Sequence, residues 1–235
     1  PLTAMAAFRI ENWDSDTSRV YRVVCGSTLI EGIIRSEPLD KRTLKLMAVS
    51  CVNDNRFPYQ KAVQQMIDQD PDLLFFAGDQ LYQTNAGGET IQAHDEKDVL
   101  PALANYLPKW RKFGLTFRDL LKDRPSIILT DDHDVYVADL WGNGGQRMKT
   151  KREEGFNPGA PFIFGNAAER TRMLIYREGG GYLHPKWTNA VERMQMGHLP
   201  DAVAPGPWGS GIRAYFTSLD YAGVSFALLE DRKFK

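Results

Sequence analysis

Leu73-Leu74-Phe75-Phe76-Ala77-Gly78-Asp79-Gln80-Leu81-Tyr82 decides the fold of this chain. An unbroken apolar run, closed by a glycine and then by ionisable side chains, reads as a strand buried on both faces that opens onto a polar edge. Working outward, similar runs occur at Leu44-Lys45-Leu46-Met47-Ala48-Val49, at Ile127-Ile128-Leu129 and at Val224-Ser225-Phe226-Ala227-Leu228-Leu229. The intervals between them have helical spacing. Tyr59 to Asp70 carries Ala62, Val63, Met66 and Ile67 after Pro58, a good helix start. Val99 to Leu121 carries Leu103, Leu107, Trp110, Phe113, Phe117 and Leu121, and an interruption is expected near Pro108. Strands alternating with helices predict an α/β domain over residues 44–235.

The flanks differ in texture. Val20 to Cys25, a turn at Gly26-Ser27, then Thr28 to Arg35 predict a β-hairpin, and Pro38 with Asp40-Lys41-Arg42 a linker. A lone hairpin is marginal in water, so residues 1–43 are expected to be the end of a small β-sandwich module; an edge hairpin of the main domain is the alternative. Trp141 to Leu219 is long and rich in Gly and Pro, with one helix expected from about Pro185 to Met196, and is expected to cover a site. The chain starts at Pro1 with no leader and is expected to be a piece of a longer protein.

Of 235 residues, 43% are hydrophobic and 25% charged, which excludes a disordered or collagen-like chain. Lys plus Arg number 29 against 30 Asp plus Glu, a balance that argues against nucleic-acid binding through bulk charge. No apolar stretch approaches the ~20 residues of a membrane span. Two cysteines, Cys25 and Cys51, make no disulfide framework, and Cys25 in the hairpin is taken as structural.

Each apolar run ends in chemistry. The first gives Ser50-Cys51-Val52-Asn53-Asp54 and the second Asp79 and Tyr82; the third gives Asp131-Asp132-His133-Asp134 and the fourth Glu230-Asp231-Arg232. Sites in open α/β sheets form beyond the carboxyl ends of the strands. So many carboxylates in one cleft would repel one another unless a divalent or trivalent cation sat among them. Thiolate and phenolate donors favour a transition metal such as iron, and the mixed set suggests two metals of different character. Singly, Cys51 reads as a small buried hydrophobe, Asp79 as a turn residue and Tyr82 as packing. The Asp131 to Asp134 tetrad resists such an account.

Phe76-Ala77-Gly78-Asp79-Gln80-Leu81-Tyr82 followed by Asp131-Asp132-His133-Asp134-Val135-Tyr136 resembles the PhoD-like alkaline phosphatases, a branch of the calcineurin-like metallophosphoesterase superfamily. The resemblance takes in Ser50-Cys51 before a helix and Leu229-Glu230-Asp231-Arg232, and spans about residues 44–235. It implies a two-sheet β-sandwich flanked by helices, with metals at the strand ends. By resemblance Cys51 would ligate iron, Asp79 bridge the metals and Tyr82 donate its phenolate to the iron. Asp132 falls where the wider superfamily places an Asn ligand, and His133 on the His that faces the leaving group. Asn53 sits two residues after Cys51, where the superfamily has a further ligand, and Asp139 matches a family position that often carries Asn.

The resemblance further implies export, two or more metal ions (iron plus calcium, or zinc or manganese), and C-terminal ligands that lie beyond Lys235. The expected activity is hydrolysis of a small phosphate ester, as a monoesterase or phosphodiesterase, with His133 protonating the departing alkoxide. Asp131 or Asp134 would orient that imidazole. Arg172, His184, Arg193 and His198 are candidate phosphate contacts from the covering segment. The competing reading is a non-catalytic calcium-binding surface module. A nucleotide-binding fold lacks any Gly-rich phosphate loop after a strand.

Overall fold

A computed structural model describes residues 5–82, 91–136, 183–204, 206–207 and 211–230. Strands β1 (Arg19–Cys25) and β2 (Thr28–Ile34) form an antiparallel hairpin in which Cys25 faces Thr28 across the turn. Gly26, at φ 58°, takes the first turn position, where a side chain would resist the left-handed backbone. Strands β3 (Leu46–Val49), β4 (Leu73–Ala77) and β5 (Ser126–Leu129) form a parallel sheet in that order, with β4 central.

Side-chain alternation along this sheet sorts the core into two layers. Leu74, Phe76 and Ile128 point into a cluster shared with α1 (Gln60–Asp68), α2 (Glu96–Thr116) and α4 (Pro185–Met196); α3 (Arg118–Leu121) adds Leu120. Leu73 and Ile127, joined by half-buried Phe75 and Leu129, pack on the opposite face against Leu228 and Phe226. Those two belong to a second hairpin, β6 (Phe216–Tyr221) and β7 (Val224–Leu229), turned through Ala222 and Gly223 at φ 53° and 74°.

Several expectations change here. The fourth apolar run is β7, but it pairs antiparallel with β6 and adds no strand to the parallel sheet. β6 itself lies in the segment expected to be largely irregular; its alternating Thr217, Leu219 and Tyr221 form a half-buried strand only because β7 is folded beside it. α2 runs through Pro101 and Pro108, and the break falls at Phe117. A proline forfeits one helical hydrogen bond, yet the buried face of Val99, Ala102, Leu103, Tyr106, Lys109 and Phe113 holds the helix on both sides of the lesion. Leu107, expected on that face, is exposed.

The first hairpin carries exposed Val20, Val24 and Leu29 and is not hydrogen-bonded into the parallel sheet. It meets the α/β region through Tyr21, whose hydroxyl donates to the Lys122 carbonyl at 2.8 Å, and through the Ile33 N–H, which donates to Asp123 at 3.1 Å. No described helix is long and apolar enough to cross a membrane.

Candidate metal centre

Three loops leave the carboxyl edge of the parallel sheet side by side. The Cys51 and Val52 N–H groups donate to the carbonyls of Gly78 and Asp79 at 3.3 and 3.2 Å, extending the β3–β4 pairing past the strands. At Gly78, φ is 90° and an added Cβ would sit 2.4 Å from the Asp131 Cβ. Only glycine lets the β4 and β5 loops approach this closely.

Cys51, Asn53, Asp79 and Tyr136 all have positive φ, at 57°, 20°, 60° and 68°. Each is a conformation that side chains disfavour, and their concentration at one edge marks a site whose surroundings impose the geometry. Asp134 is the main restraint. It is fully buried, and its Oδ2 accepts the N–H groups of Asp79 at 2.8 Å and Asp131 at 3.0 Å. Its Oδ1 accepts the Leu81 N–H at 3.0 Å and Gln195 Nε2 at 2.9 Å. Burial pushes its pKa up to about 7, against the pull of Gln195 and of the Asp131 and Leu81 N–H groups. With four donors, both oxygens are occupied as acceptors, so Asp134 serves the loops and is spent as a ligand.

The predicted donors converge on Asp79. Cys51 Sγ lies 3.4 Å and the Tyr82 hydroxyl 3.2 Å from its Oδ2, and single carboxylate or imidazole atoms of Asp79, Asp132 and His133 lie within 4.8 Å of one another. The Tyr82 ring stacks on His133 with centroids 4.2 Å apart. Burial first, then the Cys51 hydrogen bond and the Asp79 charge, push the Tyr82 phenol upward, so without a cation it keeps its proton and donates to Asp79.

Asp79 Oδ1 is buried without a hydrogen-bond partner among the described residues, unusual for a carboxylate oxygen and fitting for one that faces a cation. Carboxylates from two loops, an imidazole, a thiol and a phenol suit a transition metal beside a harder ion.

Local hydrogen bonds engage several of the expected residues. Asn53 caps the 3-10 turn Asp54–Arg56 by accepting the Asn55 N–H at 3.2 Å. Asp131 Oδ1 accepts the Asp132 N–H at 2.8 Å, and Asp132 Oδ1 the His133 N–H at 2.9 Å. His184 caps α4. Arg193 is exposed, and His198 contacts the Ser126 carbonyl at the opposite end of β5 from the site. Asp139, Arg172 and most of the expected cover lie outside the described residues.

Sequence reading missed the supporting polar layer. Gln80 Nε2 donates to the Leu129 carbonyl and to Gln195 Oε1 at 2.7 and 3.0 Å, and Gln195 Nε2 to the Tyr106 hydroxyl at 2.6 Å. Asp54 and Lys109 are likewise buried. One signal was available: Lys109 stands with Tyr106 and Phe113 on the apolar stripe of α2, where a lysine is out of place.

No curated protein matches the chain. A solved structure of PhoD aligns with 93% of this chain at 16% identity and a TM-score of 0.49; the chain spans 38% of that protein's length. The profile of the PhoD-like phosphatases matches residues 46–160, the stretch that holds Cys51, Asp79, Tyr82, Asp132 and His133. Over that stretch the chain is similar to the PhoD-like phosphatase family.

Proposed function

We propose that this chain carries part of a metal-dependent phosphoesterase centre that hydrolyses small phosphate esters, mono- or diesters, with Cys51, Asp79, Tyr82 and Asp132 as ligands and His133 as general acid. The convergence of these side chains on Asp79, whose Oδ1 has no hydrogen-bond partner among the described residues, carries the reading. When bound, the cations supply water activation and charge neutralisation at the phosphoryl group. The chain's own residues do the rest. Asp79 and Asp132 gather negative charge at the strand ends, and His133, held against the Tyr82 ring, hands a proton to the departing alkoxide.

Iron with calcium, or zinc or manganese in place of either, follows from the donor set and the resemblance. The resemblance alone carries an exported protein and a division at about residue 43 between a β-sandwich module and the catalytic domain. The apolar layer between the parallel sheet and the β6–β7 hairpin supports a two-sheet sandwich.

Asp79→Asn in the full protein is expected to lose metal and turnover of p-nitrophenyl phosphate together; full activity at unchanged metal content overturns the assignment. His133→Ala should keep its metal and lose most rate on esters with poor leaving groups, and equal losses on good and poor leaving groups remove the general-acid role. Calcium alone with no turnover would identify a structural calcium module, a reading that the thiol, phenol and imidazole donors disfavour.

A further inference from the structure

Lys109 and Asp54 have no step in the hydrolysis proposed above. Their side chains are 9% and 4% exposed, with Nζ 3.5 Å from Oδ2. A buried ion pair seldom repays its desolvation, so its presence beside the site calls for another reason. Both partners reach a single residue: Asp54 Oδ1 accepts the Tyr82 N–H at 2.9 Å, and Lys109 Nζ donates to the Tyr82 carbonyl.

The N–H and C=O of one residue belong to the two peptide planes that flank its Cα. Holding both planes fixes the direction of the Cα–Cβ bond and leaves the phenol two side-chain torsions. His133 stacking and the hydrogen bond to Asp79 then take up those torsions. The clamp is itself anchored. Lys112 Nζ donates to the Asp54 carbonyl at 3.1 Å, and the Lys109 ammonium lies 4.9 Å above the centre of the Tyr136 ring.

We infer that the Asp54–Lys109 pair is a positioning device that aims the Tyr82 phenol oxygen at Asp79, presenting it as a metal donor before any cation arrives. The inference rests on Tyr82 being a ligand, so the experiment separates the two claims.

Ferric iron is titrated into the full protein against a competing chelator, and the visible phenolate-to-iron absorption is followed. Tyr82→Phe abolishes that absorption if Tyr82 is a ligand; an unchanged spectrum and affinity in Tyr82→Phe overturns the ligand reading and the inference with it. The double variant Asp54→Asn/Lys109→Met removes both charges and leaves no lone buried ion. It is expected to bind iron roughly ten- to a hundred-fold more weakly, with the absorption shifted or lost and circular dichroism retained. Loss of the band in Tyr82→Phe, with the double variant matching the wild type, overturns the clamp alone. Should the double variant lose its fold, Lys109→Arg keeps the cation and displaces the donor; a shifted band then supports the clamp and an unshifted one overturns it.

Discussion

The N-terminal hairpin and the carboxyl edge of the parallel sheet solve opposite problems. In β1–β2 the backbone is ordinary except at Gly26, and the strands expose much of their apolar surface. At the sheet edge four non-glycine residues sit at positive φ, and buried polar groups are satisfied by partners from distant parts of the chain. A hairpin can be specified by its turn. A strained edge persists only where the surrounding structure over-determines it, and strain of this kind is where function is found.

The sharpest way to break the contrast is at Asp134. Asp134→Ala leaves the N–H groups of Asp79, Leu81 and Asp131 buried without an acceptor, and should lower unfolding free energy by at least about 3 kcal/mol in urea denaturation. Metal content should fall with it, because the Asp79 loop loses its restraint. Stability within about 1 kcal/mol of wild type would mean that the edge does not depend on this carboxylate.

Two glycines give a paired test. Gly78→Ala places a Cβ 2.4 Å from Asp131 Cβ at a φ of 90° and should cost more than ~2 kcal/mol, with reduced metal affinity. Gly26→Ala, at a φ of 58° with nothing within 4 Å, should cost only about 1 kcal/mol and leave the metal untouched. Equal penalties would erase the distinction between the regions.

Within the hairpin, Gly32 sits where it touches the α/β region: an added Cβ would meet the Lys122 carbonyl at 2.4 Å and the Tyr21 hydroxyl at 2.5 Å. Gly32→Ala is expected to release the hairpin, seen as faster amide exchange over residues 19–34, with metal affinity within about twofold of wild type.

The smallest effect concerns acid. The Arg35 side chain at 2.8 Å, and then Arg124 at 3.0 Å, hold the Asp70 carboxyl below its usual range. Its folded value is the depressed one, so this contribution is present above the unfolded value of ~3.9 and disappears as pH falls through the folded value. Asp70 is more than half exposed, which limits the gain to under about 1 kcal/mol. Asp70→Asn should flatten the acid limb of a stability profile measured by urea unfolding and leave neutral-pH metal binding unchanged.

The strands that carry the site were legible because a buried parallel strand must be apolar throughout and must end abruptly. Leu73–Ala77 announces both β4 and the edge that follows it. The same logic gave the polar groups that close each run; the resemblance singled out Cys51, Asp79, Tyr82, Asp132 and His133 among them, and the fold brings these five together. It did not separate Asp134 from its neighbours. Adjacent carboxylates look alike in a sequence, and which of them turns inward to collect N–H groups depends on where Gln195 and the Asp79 loop arrive in space.

Local periodicity and end chemistry were thus enough to place the helices, the strands other than β6 and the polar strand ends, since those features act between residues a few positions apart. Tertiary structure alone assigned β7 to a hairpin outside the parallel sheet, carried α2 through Pro108, gave Asn53 to a cap and set Lys109 behind Tyr82. The common reason is that a buried polar group must find its partner, and such partners lie 27 residues away for Lys109 and Tyr82 and 61 for Asp134 and Gln195. No pattern read along the chain reports a distance of that kind.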